Sequence, residues 1–215
     1  FRKINFNTRL EFLIICNGSE KLFVNQILKN AKNVNNLKVY FLEKANIATA
    51  INFGVEKAKY PNVVVIDSDC TVNKDTFKLM AKALNSHPVV RGVVVFKGST
   101  FFSKLSAKLR THIYEKESEL FFTPNTGLQR NVFNKVGNFK EFPNNRGHTY
   151  DSEWGYRASK AGIKLKHEQK AKILHYCHTN PTNEIKVTFN YGQGRAYCYR
   201  EGLLGKKTFK NFLKA

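Results

Sequence analysis

The sequence predicts an α/β fold, a single domain in which a mostly parallel central sheet is flanked by helices. Three observations predict it. Val63-Val64-Val65-Ile66 is a run of apolar, mostly β-branched residues, the pattern of a strand buried on both faces in a helix-covered parallel sheet. Strand and helix signals alternate through the first half of the chain, and that order asks for right-handed crossovers between parallel strands. The length, 215 residues, suffices for one substantial core and is short for two. The domain is expected to span residues 1–215, with a first half ending near residue 96, a second over about 97–200, and a basic terminal helix over about 203–215.

In order, residues 10–16 read as a buried strand ended by the turn Asn17-Gly18-Ser19. A helix opens at Ser19-Glu20 and keeps Leu22, Phe23, Ile27, Leu28 and Ala31 at helical spacing; residues 37–42 form the next strand. An amphipathic helix over 46–59 carries Ile47, Ala50, Ile51, Val55 and Ala58 on one side and leads into the Val63 strand. A helix over 74–86 holds Phe77, Met80, Ala81 and Leu84 at core spacing, and Pro88 precedes a strand over 89–96. Phe101, Leu105, Leu109 and Ile113 recur every four residues, which predicts a longer helix with this stripe in the core and Lys104, Lys108 and Arg110 on its other flanks. A short strand at 127–129, a one-turn helix at 131–136 and a polar site loop over 137–149 follow. Residues 151–161 read as a helix ended by Gly162, then two short strands at 163–167 and 171–176. The segment 184–199 is helical but interrupted at Gly192-Gln193-Gly194-Arg195, and a last basic helix begins near Lys206.

Lys and Arg number 36 against 16 Asp and Glu, a formal charge of +20. Such an excess favours polyanions, anionic membrane surfaces or phosphate-bearing substrates. The aromatic-basic arrays of the common RNA-binding modules are not visible, so nucleic acid is not expected as the partner. Cys16, Cys70, Cys177 and Cys198 are widely spaced without a C-x-x-C pair, which suggests neither a zinc knuckle nor a disulfide framework and fits a reducing, cytoplasmic setting. No apolar run approaches the ~18 residues of a membrane span. In the tail, Lys206, Lys207, Lys210 and Lys214 surround Phe209, Phe212 and Leu213. Such a helix can rest on anionic lipid, giving peripheral contact at the inner face of a membrane, or dock on the domain by its apolar side.

Asp67-Ser68-Asp69 follows the Val63 strand, at the sheet edge where open α/β folds hold ligands. Two acids one residue apart can offer oxygens to one hard cation, Mg²⁺ or Mn²⁺, together with substrate phosphates. The same residues also suit a strand end followed by a cap. Asp151 and Glu153 occupy a first helical turn, where the helix dipole favours acids.

The order of these motifs resembles the large inverting glycosyltransferase family two, with the GT-A fold. Cys16-Asn17-Gly18-Ser19 occupies the place of that family's acidic pair before Gly-Ser. The segment from Asn46 through Ala48 and Asn52 to Gly54 resembles its N-x-G-x-A-x-N-x-G helix, and Asp67-Ser68-Asp69 its D-x-D strand. Gly127, Arg130, Val136-Gly137-Asn138-Phe139 and Tyr150-Asp151-Ser152-Glu153-Trp154-Gly155-Tyr156-Arg157 follow in the family's order, so the likeness covers about residues 10–200. The resemblance implies a nucleoside-diphosphate sugar donor held in the first half and a hydroxyl acceptor on a glycan, lipid or protein in the second. It implies Asp69 on Mn²⁺ or Mg²⁺, Asp67 on the metal or ribose, and Asp151 as general base. His175 or its rival His178 would complete the metal shell. Asn17 would face the base, Arg195 the diphosphate, and Asn52, Glu153 and Arg157 would serve substrate binding. It also implies a further strand and nucleotide-contacting loop before Leu10, expected to be missing because only residues 1–9 precede it. A catalytically degenerate transferase-like domain and a basic module binding nucleic acid or another polyanion are the alternatives.

Overall fold

The computed structural model describes residues 10–73, 75–116, 121–142 and 149–204. The expectations about a strand before Leu10 and about the terminal basic helix from Lys206 lie outside the described residues, as do residues 143–148 of the site loop. The elements run β1 (Phe12–Asn17), α1 (Lys21–Ala31), β2 (Leu37–Leu42), α2 (Ile47–Lys57), β3 (Asn62–Val65), β4 (Cys70–Val72), α3 (Thr76–Leu84), β5 (Val89–Lys97), α4 (Phe101–Lys116), β6 (Thr126–Gln129), α5 (Val132–Val136), α6 (Tyr150–Lys160), β7 (Leu165–Tyr176) and α7 (Pro181–Arg200). Asn46 starts α2 by accepting from Thr49 N at 3.2 Å, and Asn180 does the same for α7 through Thr182 N at 2.9 Å. Each side-chain cap satisfies an orphan helix donor.

β1 and β2 pair in parallel, and a five-stranded sheet has the order β3-β6-β5-β7-β4. In the larger sheet the long β5–β7 ladder is parallel, whereas β6 runs antiparallel to β3 and β5, and β4 antiparallel to β7. The sheet is thus mixed, with one parallel ladder, its longest, and three short antiparallel ones. β4 escaped the sequence reading because three residues are too few to show a period; pairing with β7 alone makes it a strand.

The two short strands expected at 163–167 and 171–176 are one strand with an offset. Gly92 pairs with Glu168 but Val93 pairs with Lys172, leaving residues 169–171 outside the ladder. Asn125 repairs the gap. Fully buried and at φ 59°, it donates its side-chain amide to Ala171 O at 2.8 Å and to Val93 O at 3.2 Å. Its backbone donates to Val65 O and accepts from Gly92 N. Gly92 leaves room for that amide: a Cβ there would lie 2.1 Å from Asn125 Nδ2. α7 is another correction, since it runs unbroken through Gly192 and Gly194. Two glycines weaken a helix by about 1 kcal/mol each, but Gly194 is buried against the domain, and tertiary packing outweighs that loss.

The larger core gathers around Trp154, fully buried, with ring centroids of Phe121, Phe139 and Phe133 at 4.8, 5.0 and 5.7 Å. Its indole N–H donates to Gly137 O at 2.8 Å. The stripe on α4 is not core. Ser103 and Ala107 face the domain, while Phe101, Leu105 and Leu109 are 77, 59 and 48% exposed. The close approach of α4 selects small residues on its inner side: a Cβ on Gly98 would come within 2.1 Å of the Ser103 backbone. Farther along, Arg91 stacks 3.6 Å from the Tyr114 ring and donates to Tyr114 O, and Tyr114 donates its hydroxyl to Gly92 O.

Replacing Gly92 by alanine forces the Asn125 amide aside, an overpacking change expected to cost about 1–3 kcal/mol. Urea denaturation of the Gly92→Ala variant measures it.

Candidate functional site

Asp67 and Asp69 lie between β3 and β4, at the end of the Val63 strand, with side chains 38 and 44% exposed. The β4–β7 pairing sets Cys70 opposite His175. His175 Nε2 then stands 3.6 Å from Asp67 Oδ2 and 3.5 Å from Asp69 Oδ1. Burial works against a charge on His175, but the contact with Asp67 and the charges of Asp69 and Asp67 outweigh it and raise its pKa. One ligand atom each of Asp69, Cys70 and His175 lies within 4.8 Å of the others. Oxygen and imidazole donors so grouped fit a divalent cation, and the buried His175 Nδ1 has no hydrogen-bond partner among the described residues. The Cys70 thiol is pushed up to about 12, by burial first and then by the charges of Asp67 and Asp69.

Asp151 sits in the first turn of α6, buried. Ser152 N–H donates to its Oδ1 at 2.7 Å and Thr123 N–H to its Oδ2 at 3.4 Å. Burial nevertheless raises its pKa to about 7 against those two bonds and the charge of Arg195, while the negative charge of Asp67 adds to the rise. Arg195 on α7 and Asp67 therefore act on the same carboxylate, which joins the aspartate pair and the α6 acid into one electrostatic site. Next to Asp151, the buried Tyr150 hydroxyl shares a 2.6 Å hydrogen bond with Thr123 Oγ1.

Other residues named from the sequence are held elsewhere. Glu153 is buried and takes Arg157 on both oxygens, at 2.8 and 2.9 Å, with Lys140 at 3.2 Å. Arg157 also donates to Val136 O and Asn138 O, so the pair fastens the segment after α5 onto α6. Asn52 makes a reciprocal pair with the Phe139 backbone, donating to its O at 2.8 Å and accepting from its N at 3.0 Å. Asn17 accepts from Asn46 N at 2.8 Å, holding the start of α2. His178 is exposed and its backbone donates to Glu184; of the two histidines, His175 stands at the aspartates. Thr123, Cys70 and Tyr150 were not identified from sequence as site residues. Only the adjacency of Cys70 and Tyr150 to the acids could have suggested them, and Thr123 offers a backbone donor that any residue could supply.

No described helix is long and apolar enough to cross a membrane. Residues 3–162 match the family described as Glycosyl transferase family 2. The fold is similar to a crystal structure of GalNAc-T7 with UDP, GalNAc and Mn²⁺, at TM-score 0.60 and 14% identity over 83% of this chain and 41% of that one. It is also similar to S. aureus TarS 1-349 in complex with UDP-GlcNAc, at TM-score 0.57 and 19% identity over 79% of this chain and 50% of that one. The chain thus spans half the length of these structures or less. No curated protein matches.

Because the folded protein keeps a proton on Asp151 that the unfolded chain releases, its stabilising share is full below about pH 4 and is lost as pH rises to about 7. Asp151→Asn removes this loss. Its urea midpoint, compared with that of the unmodified chain, should gain steadily between about pH 4 and 7 and then level off; a pH-independent difference would contradict the assignment.

Proposed function

The chain belongs to glycosyl transferase family 2, and on that premise we propose that it transfers a sugar from a nucleoside-diphosphate sugar to a hydroxyl group, inverting the anomeric carbon. The observation that carries this reading is a carboxylate with a pKa of about 7, Asp151, in the field of a paired aspartate and histidine site. Asp67, Asp69 and His175 hold Mn²⁺ or Mg²⁺ in this reading. The cation supplies charge to offset what develops on the departing diphosphate.

Asp151 accepts the proton of the acceptor hydroxyl as that oxygen forms a bond to the anomeric carbon and the bond to the diphosphate oxygen breaks. A base poised near neutrality suits this task better than an ordinary aspartate, which binds a proton too weakly. Its two backbone donors hold the carboxylate in place. Arg195 meets the diphosphate with its planar fork, and its charge also favours ionised Asp151. The clamps made by Asn52, Glu153 and Arg157 support the wall between α2 and α6. The solved structures similar in fold contain UDP or UDP-GlcNAc, so UDP is the first nucleotide to test; the acceptor is a glycan, lipid-linked or protein hydroxyl.

Calorimetric titration with UDP should give binding that requires Mn²⁺ and is lost in Asp69→Ala. Asp151→Asn should keep UDP binding while turnover falls by about 10²–10⁴-fold. The rate of the unmodified enzyme should climb through about pH 7 as Asp151 loses its proton. Absence of binding to any nucleoside diphosphate by the folded chain would overturn the reading.

A further inference from the structure

α4 wears its polarity inside out. Its domain side is small or polar, Ser103 and Ala107 being buried, while its outer side carries Phe101, Phe102, Leu105 and Leu109, all exposed. Residues four apart share a helix row, so Phe101, Leu105 and Leu109 form one row and Lys104, Lys108 and His112 the row beside it. The second row borders an open groove of about 530 Å³ between α4 and the end of β5, where Lys97 adds a third ammonium. Among the described residues Glu115 is the one acid lining it. Among the described residues no carboxylate pairs with Lys97, Lys104 or Lys108. α7 packs beside α4 through Glu184, which accepts from Ser106 at 2.6 Å and Arg110 at 3.0 Å, and carries the exposed Ile185 and Phe189 next along the chain.

We propose that this face of α4 rests on an anionic lipid surface, with the groove of Lys97, Lys104 and Lys108 receiving a phosphate headgroup and the Phe101 row lying at the acyl boundary. Basic and apolar rows side by side on one helix are what an interfacial helix needs. Charge complementarity selects this occupant over a second copy of the chain. A twofold contact sets a patch against itself, which here brings lysine rows together in a protein of formal charge +20. The proposal does not depend on the transferase reading.

The test is flotation of the full chain with vesicles of phosphatidylcholine, with and without phosphatidylglycerol, at about 0.1 M salt. Binding is expected only with phosphatidylglycerol. Each surface lysine contributes about fivefold in affinity, so Lys104→Glu with Lys108→Glu should raise the lipid concentration for half-binding at least about twenty-five-fold. Phe101→Ser with Leu105→Ser should weaken binding at least about tenfold. The same charge change at the C-terminal end of α1, Lys29→Glu with Lys32→Glu, should matter far less. These are exposed positions, so urea midpoints and UDP calorimetry should stay as in the unmodified chain, separating this result from the fate of the donor site. Three results would overturn the proposal: no binding to phosphatidylglycerol vesicles, equal losses in the α1 and α4 charge variants, or a dimer that dissociates in the α4 variants.

Discussion

Asn125 is the residue on which the geometry of the site rests. Its backbone ties the end of β3 to Gly92, and its side-chain amide bridges β5 to the offset in β7. Two residues beyond its bond to Val65 comes Asp67. Along β7, the offset it closes brings His175 opposite Phe96, where the Gly92–Glu168 register continued without a break would bring Lys172. A change of register re-aims every side chain beyond it. One buried amide thus governs both partners of the 3.6 Å contact between Asp67 and His175. Gly92 is the necessary complement, since only a missing Cβ admits that amide.

Around this frame the chain spends its polar groups unequally. Asp67 and Asp69 remain partly open to solvent, and Asp151 is buried with two backbone donors whose help is outweighed by desolvation. Glu153, also buried, has Arg157 and Lys140 as charged partners. Two acids in one helical turn consequently have different surroundings: Glu153 has two cationic partners and fastens a loop, whereas Asp151 has its pKa raised to about 7 by burial. Removing a partner from a buried charge pair is strongly destabilising, so Glu153 and Arg157 depend on each other to hold this segment in place.

The strands of the first half were legible because runs of Val, Ile and Leu announce themselves, and the position of Asp67 and Asp69 after a strand and of Asp151 in a first helical turn followed from the same local pattern. The α4 stripe was misassigned for a physical reason. Period reveals that a helix has an apolar row but not which way the row points, and the small residues needed beside Gly98 turned it outward. The chain partners of Asn17 and Asn52 could not be read from the sequence, because an amide's bonds depend on what the fold brings to it; the partner of Asn52 is 87 residues away. β4 and the β7 offset were invisible because both exist only through pairing.

Cys70 has a chemical consequence of its own. Thiols react with peroxides and alkylating agents as thiolates. With the thiol pushed up to about 12, only about one molecule in a hundred thousand carries that form at neutral pH. Burial first, and then the repulsion of a third negative charge by the two aspartates, disfavours the thiolate and so slows the reactions of this sulfur beside the acids.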